Sequence, residues 1–312
     1  PPMNLPETGT ILGRTLFRGV EKKIRILRED RRRHVYIIGK SGMGKSVLIE
    51  QMAKQDIQNG EGVCMIDPHG DTAEALLTYV PPQRVDDVVY FNPGDTERPI
   101  GLNMLEAETP EEMDFVTQEM IAIFYQLVTD PSMIGPMFEH YMRNAMFTLM
   151  ANKENPGTLA DIPRIFTDTE FQTYSLQFVT DPLVRSFWEK EMAQTSDNQK
   201  SEMLGYLISK VGRFIENGLM RNIIGQPKSG FDLSEIMDKK KILLVNLSKG
   251  KIGDINSNLL GLILVSKLTL AALRRASQME EARSDFYLYI DEFQNYITDS
   301  IATILSEARK YK

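Results

Sequence analysis

Two adjacent acids and a glycine-rich octapeptide carry most of the chemistry that this 312-residue sequence could perform. The octapeptide is Gly39-Lys40-Ser41-Gly42-Met43-Gly44-Lys45-Ser46, which fits the pattern G-x-x-x-x-G-K-[ST] at every fixed position. Glycines in such a loop let backbone N–H groups turn inward around phosphates, and a helix start adds positive potential. Lys45 is expected to reach the β- and γ-phosphates, with the Ser46 hydroxyl on Mg²⁺. The acids are Asp291 and Glu292, which follow the apolar run Phe286-Tyr287-Leu288-Tyr289-Ile290. Beside a phosphate loop, Asp291 would orient Mg²⁺, usually through water, and Glu292 would act as general base on the attacking water. An adjacent glutamate favours hydrolysis over transfer to a small acceptor, because a kinase has less need to activate water. ATP and Mg²⁺ are the implied cofactors. A chance Gly-rich turn is the competing reading of the octapeptide, and an acid pair after a strand is weak evidence alone. Their combination, with strands between them, carries the assignment.

The elements that must position these residues follow from the hydrophobic pattern. Val35-Tyr36-Ile37-Ile38 reads as a strand entering the loop, and the chain from Lys45 leaves it as a helix ended by Asn59-Gly60. Val63-Cys64-Met65-Ile66 reads as a buried strand delivering Asp67-Pro68-His69-Gly70-Asp71. Polar residues just past a strand's carboxyl end are where open α/β sheets place ligands. Three ligand types so close on one loop, with no partner cluster, argue against a dedicated metal at Asp67, His69 and Asp71. A nucleotide-side or subunit-contact loop is the expectation. Further strands are expected at Val88–Phe91, stopped by Asn92-Pro93, and at Lys241–Leu247, followed by Ser248-Lys249-Gly250. Strands alternating with helices imply an α/β fold with a mostly parallel sheet covered on its faces.

Between about 106 and 230 the strand signals vanish. Thr109-Pro110-Glu111-Glu112 reads as a capping box with proline at the first helical position. It opens a helix with Met113, Val116, Met120, Ile123, Phe124 and Leu127 on one face. More helices are expected at 136–151, 169–178, 182–193 and 196–216, with breaks at Asp130-Pro131, Asn155-Pro156-Gly157 and Asp181-Pro182. Met137, Met142, Met146 and Met150 read as core filling. The domain expectation is a lead-in and first core segment at 1–105, an all-α insertion at 106–230, and a second core segment at 231–312.

Composition is ordinary for a globular chain, 42% hydrophobic and 25% charged. The most apolar stretch, Leu259–Leu273, is interrupted by Ser266, Lys267 and Thr269 and reads as a buried helix. Cys64 is the single cysteine, which excludes an intrachain disulfide and fits a reducing, cytoplasmic setting. Net charge is −7, from 36 basic and 43 acidic residues, so any DNA contact must come from a local patch or an assembled ring. One local cluster exists: Lys22, Lys23, Arg25, Arg28, Arg31, Arg32 and Arg33. It reads as phosphate or DNA contact or, since Glu29 and Asp30 interrupt it, as a solvated strand face and turn. The chain opens at Pro1-Pro2 without a signal-peptide pattern, and is expected to be a piece of a longer protein.

Several separated motifs resemble one family. Arg33 and the Gly39–Ser46 loop, Asp67-Pro68-His69-Gly70-Asp71, Asn92-Pro93 and Gly101-Leu102-Asn103 are similar to the FtsK/HerA superfamily of DNA-pumping ATPases. Within it, Lys241–Gly250, Asp291-Glu292-Phe293 and Ser306-Glu307-Ala308-Arg309-Lys310-Tyr311 most resemble conjugative, type IV secretion coupling ATPases of the TraG/TraD kind. The resemblance covers nearly the whole chain. It implies a RecA-like P-loop motor carrying an all-α domain, assembled as a homo-hexamer around single- or double-stranded DNA with nucleotide between subunits. It also implies secretion-channel or relaxase-type partners, and a membrane attachment at the cytoplasmic face only through a segment absent from this chain. By the same resemblance Arg309 is an arginine finger reaching a neighbour's γ-phosphate; by itself it reads as a last-turn arginine favoured by the helix dipole. The family usually carries an N-terminal membrane anchor and continues into a strand bearing a sensor glutamine. Stopping at Lys312, the chain is expected to bind ATP but hydrolyse it poorly. Alternative expectations are a HerA-like DNA-repair or partition ATPase, and a nucleotide-gated docking module for secretion substrates.

Overall fold

The computed structural model describes residues 5–128 and 134–298. They form two compact units. Of the described residues, the first comprises 5–92, 231–251 and 268–298; the second comprises 93–128, 134–230 and 252–267.

The first unit opens with an antiparallel hairpin, β1 (Thr10–Phe17) and β2 (Val20–Ile26). Its two-residue turn, Arg18-Gly19, has both residues at positive φ, the conformation whose twist matches flanking strands. After the phosphate-loop sequence comes helix α1 (Lys45–Gln58), then β3 (Gly62–Asp67), helix α2 (Asp71–Leu77) and β4 (Val88–Phe91). Two later strands, β5 (Ile242–Asn246) and β6 (Phe286–Ile290), complete a four-stranded sheet in the order β4-β5-β3-β6, with every pairing parallel. The central strands β3 and β5 are buried along their whole length. That explains their unbroken apolar sequences, because a parallel strand covered on both faces has no polar side to show. The core beneath α1 joins Ile49, Met52, Ala53 and Ile57 to Val63, Met65, Ile242 and Leu244.

One expected strand is missing. Residues 35–38 make no sheet pairing. Ile37 packs against the core while Tyr36 and Ile38 are 76% and 81% exposed. The apolar run that suggests a strand buries only Ile37, and that in part. A ladder also needs a neighbour offering N–H and C=O groups, and none of the described strands does so.

The second unit is helical. Helix α3 (Pro110–Leu127) starts where its capping sequence directs: the Thr109 hydroxyl accepts from the Glu112 N–H, while the Glu112 carboxylate accepts from the Glu108 N–H. The reach-back thus lands one residue before the cap itself. Val116, Met120, Ile123 and Phe124 are buried along one face. They meet α4 (Pro136–Met150) and α5 (Asp197–Ile215) through Phe138 and Phe214, whose rings pack against Phe124. Met142, Met146 and Met150 fill this core, but Met137, in the first turn of α4, is 63% exposed. The helix expected over 182–193 is interrupted by a π-helical stretch, Phe187–Glu191. The extra residue in that turn lets consecutive Phe187 and Trp188 both face inward, and the Trp188 indole donates to the Thr148 hydroxyl at 2.7 Å. The break expected at Asp130-Pro131 lies outside the described residues. Helix α6 (Asp254–Arg274) is long and apolar enough to cross a membrane by length and composition, yet Leu259, Leu260, Leu262, Ile263 and Leu264 are fully buried in the protein.

Candidate nucleotide site

The candidate site is built at the carboxyl edge of the parallel sheet, where α1 begins and β6 ends. Gly42 and Gly44 both have positive φ, and Gly44 is the residue from which α1 starts. No side chain caps this helix and its first turn holds no acid, so its leading N–H groups are not blocked by a carboxylate. Gly39 lies under the Lys45 side chain: a Cβ there would sit 3.4 Å from Lys45 Cγ. The Lys45 ammonium donates to the Lys40 carbonyl at 3.4 Å, a long bond that an anionic phosphate would outcompete. The Met43 N–H donates to the same carbonyl, closing the loop on itself. Lys40, Ser41, Gly42 and Met43 are exposed.

Ser46 is the second residue of α1, and Asp291 follows the last residue of β6. Pairing of β6 with β3 fixes Asp291 in depth, since its N–H donates to the Ile66 carbonyl at 3.1 Å. The Ser46 hydroxyl donates to Asp291 Oδ2 at 2.7 Å, and the Glu292 N–H donates to Oδ1 at 3.0 Å. Asp291 is 4% exposed. The two side chains expected to share Mg²⁺ come together across 245 residues of sequence. A hydroxyl and a carboxylate in contact suit a hard cation that takes oxygen ligands and keeps several waters or phosphate oxygens of its own. The residues present fit the group.

Glu292 adopts the left-handed conformation at φ 49°, uncommon for a residue with a side chain. Gln294 Nε2 donates to Glu292 Oε2 at 2.5 Å, a contact no sequence pattern announced. Arg309 lies outside the described residues.

The neighbouring strand ends are braced by polar side chains. Asp67, 1% exposed, accepts from the His69 N–H at 2.9 Å with one oxygen and from the Ala73 N–H at 3.0 Å with the other. Both oxygens are engaged in folding the 67–71 loop and starting α2. Asn246 at the end of β5 donates to Glu74 at 3.1 Å and to the Tyr90 hydroxyl at 2.9 Å, and accepts from the Ser248 N–H at 3.1 Å.

Three of the seven basic residues at 22–33 are spent on ion pairs. Arg28 pairs with Glu61 and Asp285, Arg32 with Asp285, and Arg31 with Asp56. Burial alone would disfavour the Arg31 charge, but the hydrogen bonds and charge of Asp56 outweigh it and hold the pKa above the ordinary value. These acids lie far away in sequence, which is why the cluster reads locally as free charge.

These features can be set beside known proteins. A model of the family described as "Helicase HerA, central domain" matches residues 11–269. The chain belongs to that family. No curated protein matches its sequence. Among solved structures, the plasmid coupling protein TrwB in complex with the non-hydrolysable analogue ADPNP is 16% identical with a TM-score of 0.58, over 99% of this chain and 66% of that one. The same protein with ADP and Mg²⁺ gives 18% identity and a TM-score of 0.58, over 98% of this chain and 66% of that one. VirB4 of Thermoanaerobacter pseudethanolicus gives 14% identity and a TM-score of 0.60, covering 98% of this chain and 75% of that one. These likenesses establish the fold, the P-loop ATPase architecture with a mostly parallel sheet. The chain spans about two thirds of the length of the coupling-protein structures it matches.

Proposed function

We propose that this HerA-family chain is the motor part of an ATP-driven DNA translocase, of the type IV secretion coupling kind. The observation that carries the reading is the 2.7 Å hydrogen bond from Ser46 to the buried Asp291 carboxylate, whose other oxygen accepts the N–H of the adjacent Glu292. ATP would lie along Gly39–Ser46, its phosphates on the exposed N–H groups at the start of α1 and on Lys45. Mg²⁺, when bound, would neutralise phosphate charge. Ser46 and Asp291 would hold it. Glu292 would accept the proton of the attacking water. The fold neighbours crystallised with ADPNP and with ADP and Mg²⁺ support ATP and Mg²⁺ as ligands.

The DNA part of the reading draws support from the family and from the coupling protein among the fold neighbours. A homo-hexamer, with Arg309 acting on a neighbouring subunit's nucleotide and secretion-channel or relaxase-type partners, belongs to the same proposal. So does a place at the cytoplasmic face of a membrane. The test is ATP turnover in a chain extended past residue 312, with and without single- and double-stranded DNA, for wild type, Lys45→Ala and Glu292→Gln. Turnover stimulated by DNA and abolished in both variants is the expected result. Turnover that survives both substitutions refutes the site, and turnover indifferent to either DNA refutes the translocase. DNA binding should also weaken steeply with salt, as phosphate contacts require.

A further inference from the structure

Ten residues beyond Ser46 in the same helix, Asp56 is 2% exposed, in the core of the first unit. Arg31 grips it with two hydrogen bonds, Nη1 to Oδ1 at 2.8 Å and Nη2 to Oδ2 at 2.6 Å. The Tyr289 hydroxyl donates to Asp56 Oδ2 at 2.5 Å and accepts from Arg31 Nη2 at 2.7 Å. Arg31 Nη1 also donates to the Thr10 hydroxyl at 2.8 Å, and its guanidinium lies 3.8 Å from the Tyr287 ring centroid. Burial and the Asp56 charge push the Tyr289 phenol well above its ordinary pKa, so it stays a neutral donor. The closed triangle joins the single helical turn at Arg28–Arg31, the phosphate-loop helix α1 and strand β6.

We infer that Arg31, Asp56 and Tyr289 are positioning residues for the metal-binding pair Ser46 and Asp291. The inference rests on the nucleotide reading of Gly39–Ser46. Tyr289 lies on β6 and Asp291 two residues further, just past its end, and both side chains reach α1. Ser46 and Asp56 are about 15 Å apart along α1 at about 1.5 Å per residue. Helix and strand are thus joined twice, by Ser46–Asp291 near the nucleotide and by Asp56–Tyr289 toward the far end. One attachment leaves a helix able to pivot about it; a second, distant one fixes both its swing and its slide. A buried ion pair is weak evidence of stability, since apolar packing would serve as well. Its hydrogen bonds are directional, however, and a metal pair needs its two oxygens placed to within about 0.5 Å. The triangle supplies that direction without touching the nucleotide.

The test compares wild type with Tyr289→Phe, which keeps the ring and the Arg31–Asp56 pair and removes one hydroxyl. Binding of a fluorescent non-hydrolysable ATP analogue is titrated with Mg²⁺, below each variant's urea midpoint. The expected result is Mg²⁺-free affinity within about twofold of wild type and a Mg²⁺ requirement raised about tenfold, the scale of lost supporting hydrogen bonds at metal sites. Asp56→Asn should move the requirement the same way. An unchanged Mg²⁺ requirement in folded Tyr289→Phe overturns the inference. So does an equal shift in Leu149→Ala, a core truncation in the helical unit, because the effect would then be general softening. If wild type binds no analogue, or binding survives Lys45→Ala, the nucleotide reading itself falls and takes this inference with it.

Discussion

Replacing Asp67 by asparagine separates two roles that its position allows. It stands at the carboxyl end of β3, where a carboxylate could hold a metal, yet both its oxygens accept backbone N–H groups, from His69 at 2.9 Å and Ala73 at 3.0 Å. Hydrogen bonds to a charged group contribute about 1.5–3 kcal/mol each. Asparagine keeps one acceptor oxygen and turns an NH₂ toward the other donor. One charged bond is lost, one is weakened, and two donors meet in a site that is 1% exposed. The expected loss is about 2–4 kcal/mol of stability. At a urea slope of about 2 kcal/mol/M, the midpoint falls by about 1–2 M. Equilibrium unfolding followed by circular dichroism measures it, and Mg²⁺-dependent binding of an ATP analogue is read on the same protein below its midpoint. Bracing predicts lower stability with affinity and Mg²⁺ requirement retained. A variant as stable as wild type, or a folded variant that has lost its Mg²⁺ dependence, would show that Asp67 belongs to the metal site.

Three further outcomes are expected. Gly70 has φ 94°, and a Cβ there would lie 2.4 Å from Asn246 Oδ1, so Gly70→Ala should destabilise by about 1–2 kcal/mol for the backbone and more for the overlap. Asn246→Ala in the same chain should relieve the overlap part; strict additivity in the double-mutant cycle would rule the clash out. Burial opposes ionisation of Asp285, but the hydrogen bonds and charges of Arg28 and Arg32 outweigh it and hold the carboxyl below its usual range. A group depressed in the folded state contributes stability above its unfolded pKa, about 3.9, and loses it as pH falls through the lower folded value. Asp285→Asn should therefore lower stability at pH 7 and flatten the acid limb of a stability–pH curve, and an unchanged limb would contradict the pairing. Burial pushes the Cys64 thiol well up, and the side chain is 0% exposed, so a thiol reagent at pH 8 should label it only as fast as the protein opens. Immediate labelling of the native protein would place Cys64 elsewhere.

The sequence by itself determined the local parts of the site. The spacing of Gly39, Gly44, Lys45 and Ser46 identifies a phosphate loop because the chemistry is done by consecutive backbone groups. The apolar runs at 63–66 and 242–247 identify strands because burial on both faces leaves no polar alternation. Thr109 and Glu112 mark a helix start for an equally local reason. Tertiary structure decided whatever depends on residues far apart. It left 35–38 without a ladder, since pairing requires a neighbour that no local pattern specifies. It turned Arg28, Arg31 and Arg32 from a basic cluster into partners of Asp56, Glu61 and Asp285. It set Tyr289 on Asp56 across 233 residues. Above all it brought the Ser46 hydroxyl to the Asp291 carboxylate. The sequence can name the two oxygens, but only the parallel pairing of β6 with β3 and the seat of α1 on that sheet fix the distance between them.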